Sequence, residues 1–361
     1  MRIRAVIIVI TLVTLLCSCD KGDPTLVVLP DPSDPVPNTA PLVTVLYDPN
    51  ALGDRSYNDL IYQGVEEAAQ RYGLRTLQLS PQTAEEGEAY LSTLLTQLAI
   101  ATDGVRRLAI IAGSSYDAML RRSNWLLEKN KDTDLLYLET DTPLDGKGST
   151  LFLPYYGAMY EAGAVSPLIC SDILVIGSNT VDQPVHDAIE GFTDGHATNR
   201  FSSLDETINK PLTTVYLADQ AGQGYIISDS TALRTIRRME TRPILMVPVC
   251  GGAAFTFQRL ADITSGGYLY MGIDCATPSL LCAHSVVKHI DRAVTLCIGQ
   301  WLTEKGMPKH QRLGLSEGYT EMVLHPVWDY ADDYLKRTLT DEALEDLRQE
   351  AIRKEEEKYA E

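Results

Sequence analysis

Residues 42–69 read LVTVLYDPNALGDRSYNDLIYQGVEEAA, and this stretch decides the fold class. Leu42 to Tyr47 is a short apolar, β-branched run with the length of a buried strand. Residues 48–59 then crowd Asp48, Asp54 and Asp59 together with Ser56, Tyr57 and Asn58. From Leu60 the spacing turns helical: Leu60, Ile61, Gly64, Val65, Ala68 and Ala69 share a face, and Gly73 closes the run. A polar loop between the C-terminal end of a buried strand and a helix N-terminus is where open α/β sheets bind ligands. The plainer alternative is an ordinary βα loop closed by its own turn residues.

Working outward, the alternation repeats. Residues 86–100 read as a helix, Leu108–Ala112 as a strand, Tyr116–Asn130 as a helix and Asp134–Leu138 as a strand. Tyr155–Leu168 reads as a helix with small residues on one face. A second series follows, with strands at 173–176, 213–217, 244–249 and 268–273 and helices near 184–196, 228–239 and 253–262. Repeated βα units imply parallel sheets covered by helices on both faces, and two series imply two α/β lobes. Residues 341–361 are rich in helix formers and closely spaced opposite charges, which predicts a solvated terminal helix.

The N-terminus predicts a location. Arg2 and Arg4 precede an apolar run from Ala5 to Leu16, too short for an ordinary spanning helix and suited to a signal-peptide core. The following Leu16-Cys17-Ser18-Cys19 resembles a bacterial lipobox, so Cys19 is the expected lipidation site and the anchor to the membrane. Residues 20–41, rich in Pro and Asp, read as an extended tether. Removal of residues 1–18 takes the formal charge from −18 to −20. So acidic a chain argues against binding nucleic acid through its phosphates. Five cysteines besides Cys19 follow the leader without CxxC spacing, which argues against a zinc site; Cys275 and Cys282 are nearest in sequence, and sequence does not establish a bridge.

Four motifs stand in order: Gly53–Asp59 (GDRSYND), Ile110–Ala118 (IIAGSSYDA), Val249–Asp262 (VCGGAAFTFQRLAD) and Met271–Val294 (MGIDCATPSLLCAHSVVKHIDRAV). As a set behind a lipobox they resemble the basic-membrane-protein family of bacterial substrate-binding lipoproteins, also called purine-nucleoside-receptor-like. The resemblance spans about Leu42 to Val323. It implies a two-lobed periplasmic-binding-protein fold of the sugar-receptor type, each lobe a doubly wound parallel sheet, with the ligand in the cleft between lobes. It also implies capture of a small molecule, a purine nucleoside first among candidates, for an ABC permease, with no cofactor and no catalysis.

The resemblance further implies residue roles. Tyr57 stands where the family has a stacking Phe, and Asn58 can both donate to and accept from a base edge. Asp274 falls on the first Asp of the family's G-x-D-x-D-Q stretch and could accept ribose hydroxyls. Lys288 matches the family's helix Lys, free to hold a ribose oxygen or pair with Asp274. Asp48, Asp54, Ser114, Tyr156 and Gly252 complete the expected ligand-binding set, with capping the competing role for Asp54 and packing that for Tyr156. The family's second Asp-Gln is replaced by Ala276-Thr277, which puts base specificity in doubt.

The expected boundaries are 1–18 for the leader and 19–41 for the tether. The first lobe takes 42–170 with about 279–312, the second 171–278 with about 313–335, and the charged helix 336–361. Two other classes compete. A nucleoside-cleaving enzyme or esterase lacks its tandem-Asp or G-x-S-x-G pattern here. A surface lipoprotein binding a protein or polymer would use the same fold.

Overall fold

Two six-stranded sheets organise the chain. The structure, a computed structural model, describes residues 36–170, 172–198, 200–201, 212–238, 244–264, 267–277, 279–325, 328 and 333–360. Cys19, the leader and most of the expected tether lie outside these residues. No helix among the described residues is long and apolar enough to cross a membrane.

The first sheet contains β1 (Leu42–Leu46), β2 (Arg75–Leu79), β3 (Arg107–Ile111), β4 (Thr133–Leu138), β5 (Ser149–Phe152) and β11 (His310–Arg312). Its order is β11-β5-β4-β3-β1-β2, and every pair is parallel. Alternate residues enter different cores. Leu108 and Ile110 pack on one face, Ala109 and Ile111 on the other, as the two-residue period of a strand requires. Both faces are therefore covered, which is why these strands are continuous apolar runs rather than alternating ones.

The second sheet contains β6 (Asp172–Asn179), β7 (Leu212–Ala218), β8 (Ile244–Val249), β9 (Tyr268–Asp274), β10 (Cys282–Lys288) and β12 (Thr320–Leu324). Its order is β12-β10-β9-β8-β6-β7, parallel throughout except for β10 with β12. The chain passes between the sheets after β5, after β10 and after β11. The architecture is the expected α/β fold with two doubly wound lobes.

Three expectations need correction. Cys282–Lys288 is a fully buried strand of the second sheet, so the crossing expected near residue 279 comes after Lys288. The helix Tyr156–Val165, expected with the first lobe, packs in the second lobe's core with Phe192 and Ile176. The terminal helix Asp341–Lys358 is not solvated all round. It buries Leu347, Ala351 and Glu355, one residue per turn, against the second core and the Tyr156–Val165 helix. Thr340 caps it, its hydroxyl accepting from the Ala343 N–H at 3.2 Å.

Candidate functional site

The loop after β1 is closed by its own carboxylates. Asp54 Oδ1 accepts from the N–H groups of Ser56 and Asp59, and Oδ2 accepts from the Asn58 N–H and side-chain amide at 3.0 and 2.8 Å. Asp59 accepts from the N–H groups of Gly53 and Arg55. Asp54 thus caps the helix Tyr57–Tyr72 from two residues ahead of Ser56, satisfying donors the first turn leaves open. The capping role weighed against ligand contact is what its two oxygens perform, while one side of the residue still faces the cleft.

Between the lobes, at the C-terminal ends of strands from both sheets, lies a cavity of about 430 Å³. Eight of the nine expected residues line it: Asp48, Asp54, Tyr57, Asn58, Ser114, Gly252, Asp274 and Lys288. Tyr156 does not. Its hydroxyl donates to Asp194 at 2.6 Å and its ring stacks on Tyr160, because it begins the helix packed against Gln183–Ala197. The preceding Tyr155, outside the helix, faces the cavity in its place.

Asp274 ends β9 with φ of 64° and is almost fully buried. It belongs to the second sheet, yet Ser56 of the first lobe's loop and Tyr155 both donate hydroxyl hydrogen bonds to it. Burial pushes its carboxyl up to about 6, while Lys288 and the Ser56 hydroxyl pull it back. Lys288 sits at the end of a strand, not on a helix. It is 1% exposed and donates to Glu139 Oε2 at 2.8 Å, with its ammonium 3.6 Å from the Tyr155 ring centroid. Its partner is therefore Glu139, where the sequence offered Asp274.

Glu139 immediately follows β4, also with positive φ (58°). Non-glycine residues are strained in this region, and such residues cluster where a side chain must be aimed into a site. Burial raises the Glu139 carboxyl, and Lys288 opposes the shift. Glu139 Oε1 and the Tyr57 hydroxyl are both buried without a hydrogen-bond partner among the described residues. Buried polar atoms are rarely left so, and both belong to cavity-lining side chains. Asp48 accepts from the Ser115 hydroxyl and approaches Gly113 so closely that a Cβ there would fall 2.1 Å from its oxygen.

The sequence reading missed Glu139, Asp182, Tyr155 and Tyr225. Glu139 had a usable signal, a carboxylate directly after an apolar strand, the position Asp48 occupies in the first βα unit. Asp182 precedes the helix Gln183–Ala197, where it reads as an ordinary N-cap; its Oδ2 accepts from Asn179, from Tyr225 and from the Gly222 N–H.

The rim is shut. The Arg55 guanidinium lies 4.7 Å from the Phe255 ring centroid, and a Cβ on Gly252 would come within 2.9 Å of the Asp54 Cβ. Cys250, Cys275, Cys282 and Cys297 are free thiols. Among the described residues no group of three or more His, Cys, Asp or Glu is placed to hold a metal ion.

No protein-family model and no curated protein matches this sequence. Solved structures do. An ABC transporter system solute-binding protein from Aeropyrum pernix K1 matches over 88% of this chain and 86% of its own, at 16% identity and a TM-score of 0.61. A transcriptional activator of the comK gene from Bacillus halodurans matches over 86% and 96%, at 13% identity and 0.57. A 5-methylthioribose transporter solute-binding protein from Thermotoga lettingae TMO, in complex with 5-methylthioribose, matches over 88% and 100%, at 11% identity and 0.53. These likenesses establish the two-lobed periplasmic-binding-protein fold. The fold serves a transcriptional activator as well as solute-binding proteins, so function must be argued from the cleft.

Proposed function

We propose that this chain is a solute-binding protein of the cell envelope, tethered by a lipid on Cys19, that captures a small hydroxyl-bearing ligand between its lobes for an ABC-type permease. One observation carries the reading. A cavity at the strand ends of both sheets is lined by two buried polar atoms, Glu139 Oε1 and the Tyr57 hydroxyl, that no group among the described residues satisfies. Its volume lies in the range of small-molecule sites.

A nucleoside is the first candidate. Tyr57 offers a ring face and a free hydroxyl, and Glu139 Oε1 a free acceptor for a ribose hydroxyl. The acceptor role passes from Asp274, whose oxygens already bridge the lobes, to Glu139. The Thermotoga protein holds a ribose derivative in the same fold, which agrees with this choice.

Thermal-shift screening against nucleosides, free bases and sugars tests the reading. A compound that raises the melting temperature with occupancy supports it, and Glu139→Gln and Tyr57→Phe should each reduce that shift. No shift from any class would leave the fold without a small-molecule role.

A further inference from the structure

Among the described residues the cavity is lined by five carboxylates, Asp48, Asp54, Glu139, Asp182 and Asp274, against a single cationic side chain, Lys288. All five are engaged, and only Glu139 by a cation. Asp54 is saturated by loop N–H groups and the Asn58 amide, Asp274 holds the Ser56 and Tyr155 hydroxyls, and Glu139 pairs with Lys288. Asp48 and Asp182, like Asp54 and Asp274, have no cationic partner among the described residues. Asp48 and Asp182 reach the cavity from opposite lobes, Asp48 from the end of β1 and Asp182 from the start of the Gln183–Ala197 helix. Their hydrogen bonds come from neutral donors: the Ser115 hydroxyl and the Ser114 and Ser115 N–H groups on Asp48, and Asn179, Tyr225 and the Gly222 N–H on Asp182.

From this placement we infer that the ligand carries a protonated nitrogen, and that Asp48 and Asp182 receive it from the two sides of the closed cleft. The inference rests on the solute-binding reading and narrows its ligand class. Closing the lobes brings two like charges toward each other in a space with little water, which is unfavourable unless something neutralises them. Ser115, which donates to Asp48, and Gly222, whose N–H donates to Asp182, are neighbours, a Cβ on Gly222 falling 3.3 Å from the Ser115 Cβ; burial, with Asp182 adding to it, raises the Asp48 carboxyl in agreement. A cation between them turns the repulsion into two attractive contacts and makes closure depend on the ligand. Tyr225 flanks the position, lining the cavity and donating to Asp182 at 2.9 Å. The remaining polar atoms, Glu139 Oε1 and the Tyr57 hydroxyl, suit a neutral hydroxyl-bearing part of the same molecule. A phosphorylated ligand would meet five carboxylates and one lysine, so nucleotides and sugar phosphates are disfavoured.

Calorimetry on the full chain with matched probes tests this: adenosine against 5′-amino-5′-deoxyadenosine and adenosine 5′-monophosphate, glucose against glucosamine, and 1,4-butanediol against putrescine. In at least one pair the amine should bind at least about tenfold tighter than its neutral partner, and the phosphate should not bind. Asp48→Asn and Asp182→Asn should each erase that advantage. The wild-type comparison stands even if one variant fails to fold. Neutral compounds that bind as tightly as their amines, or an amine advantage that survives both substitutions, overturn this inference and leave the solute-binding reading intact. Silence from every probe, charged or neutral, counts against both.

Discussion

Lys288, the last residue of β10, donates to Glu139, the first residue after β4, at 2.8 Å. The pair joins the two sheets at the floor of the cleft, with Lys288 buried and one Glu139 oxygen unpartnered. A buried pair contributes modestly in itself, because desolvation offsets most of the attraction, but losing one member strands the other. Lys288→Met should therefore cost roughly 3–5 kcal/mol, and Lys288→Met combined with Glu139→Gln should recover most of it. Urea unfolding of the two single variants and the double checks this. Equal losses in Lys288→Met and the double variant would mean that the pair is not coupled.

Gly252 meets Asp54 across the cleft at a separation that leaves no room for a side chain. Gly252→Val should leave both lobes folded, as far-ultraviolet circular dichroism would report, while blocking closure. Ligand affinity should then fall by more than about tenfold, and small-angle scattering should show no compaction on ligand addition. Compaction equal to wild type would show that the rim tolerates the added bulk.

The terminal helix holds the connections between lobes. Glu355 accepts from the N–H of Gly157 at 2.7 Å and of Leu315 at 2.9 Å, residues on the segments that follow β5 and β11. Beyond it, the Tyr359 hydroxyl donates to Asp187 of the second lobe, while its ring packs edge-on against Phe152 of the first. Glu355→Ala leaves two buried N–H groups without partners and should destabilise by roughly 2–5 kcal/mol, whereas Glu355→Gln, which keeps an acceptor, should cost less than half of that. Equilibrium denaturation distinguishes the two, and equal losses would assign the effect to helix packing.

Several buried carboxylates set a pH dependence. Burial pushes Glu161 up to about 8, Glu355 to about 7, and Asp48 and Asp274 to about 6. Each holds its proton more tightly folded than unfolded, so their contribution to stability is greatest at low pH and falls as pH rises through the raised values. His284, held down to about 3 by burial, works in the opposite sense only below its ordinary range near 6.5. The ligand-free protein should therefore gain melting temperature as pH drops from about 8.5 to about 4.5, because below about 6.5 the four carboxyls outweigh the opposing His284. Glu161→Gln should flatten that slope, measured by differential scanning calorimetry. A melting temperature that climbs toward pH 8.5 would contradict the assignment.

Much of the fold was legible because its central strands are buried on both faces and so read as unbroken apolar runs, as in β1, β3 and β8. The strands that escaped lack that signature. Arg75–Leu79 is a half-buried edge strand with polar residues, and Ser149–Phe152 is only four residues long. Cys282–Lys288 runs almost directly into the helix Ile290–Leu302, so the stretch reads as one helix, and Lys288 was placed on the wrong element. At the site, the loop after β1 announced itself through its density of polar side chains. Glu139 had only its place directly after an apolar strand, and Asp182 reads as an N-cap; each joins the others only when two sheets meet. Tyr155 and Tyr156 differ by one residue, and only the helix start decides which of them faces the cleft.

Native mass spectrometry of the purified protein, followed by denaturation and identification of what is released, tests the central claim most directly. The account requires a small molecule bound at one copy per chain, and Glu139→Gln or Tyr57→Phe should lower its occupancy. A protein that carries no bound mass, and acquires none when offered nucleosides, sugars or amines, would contradict it.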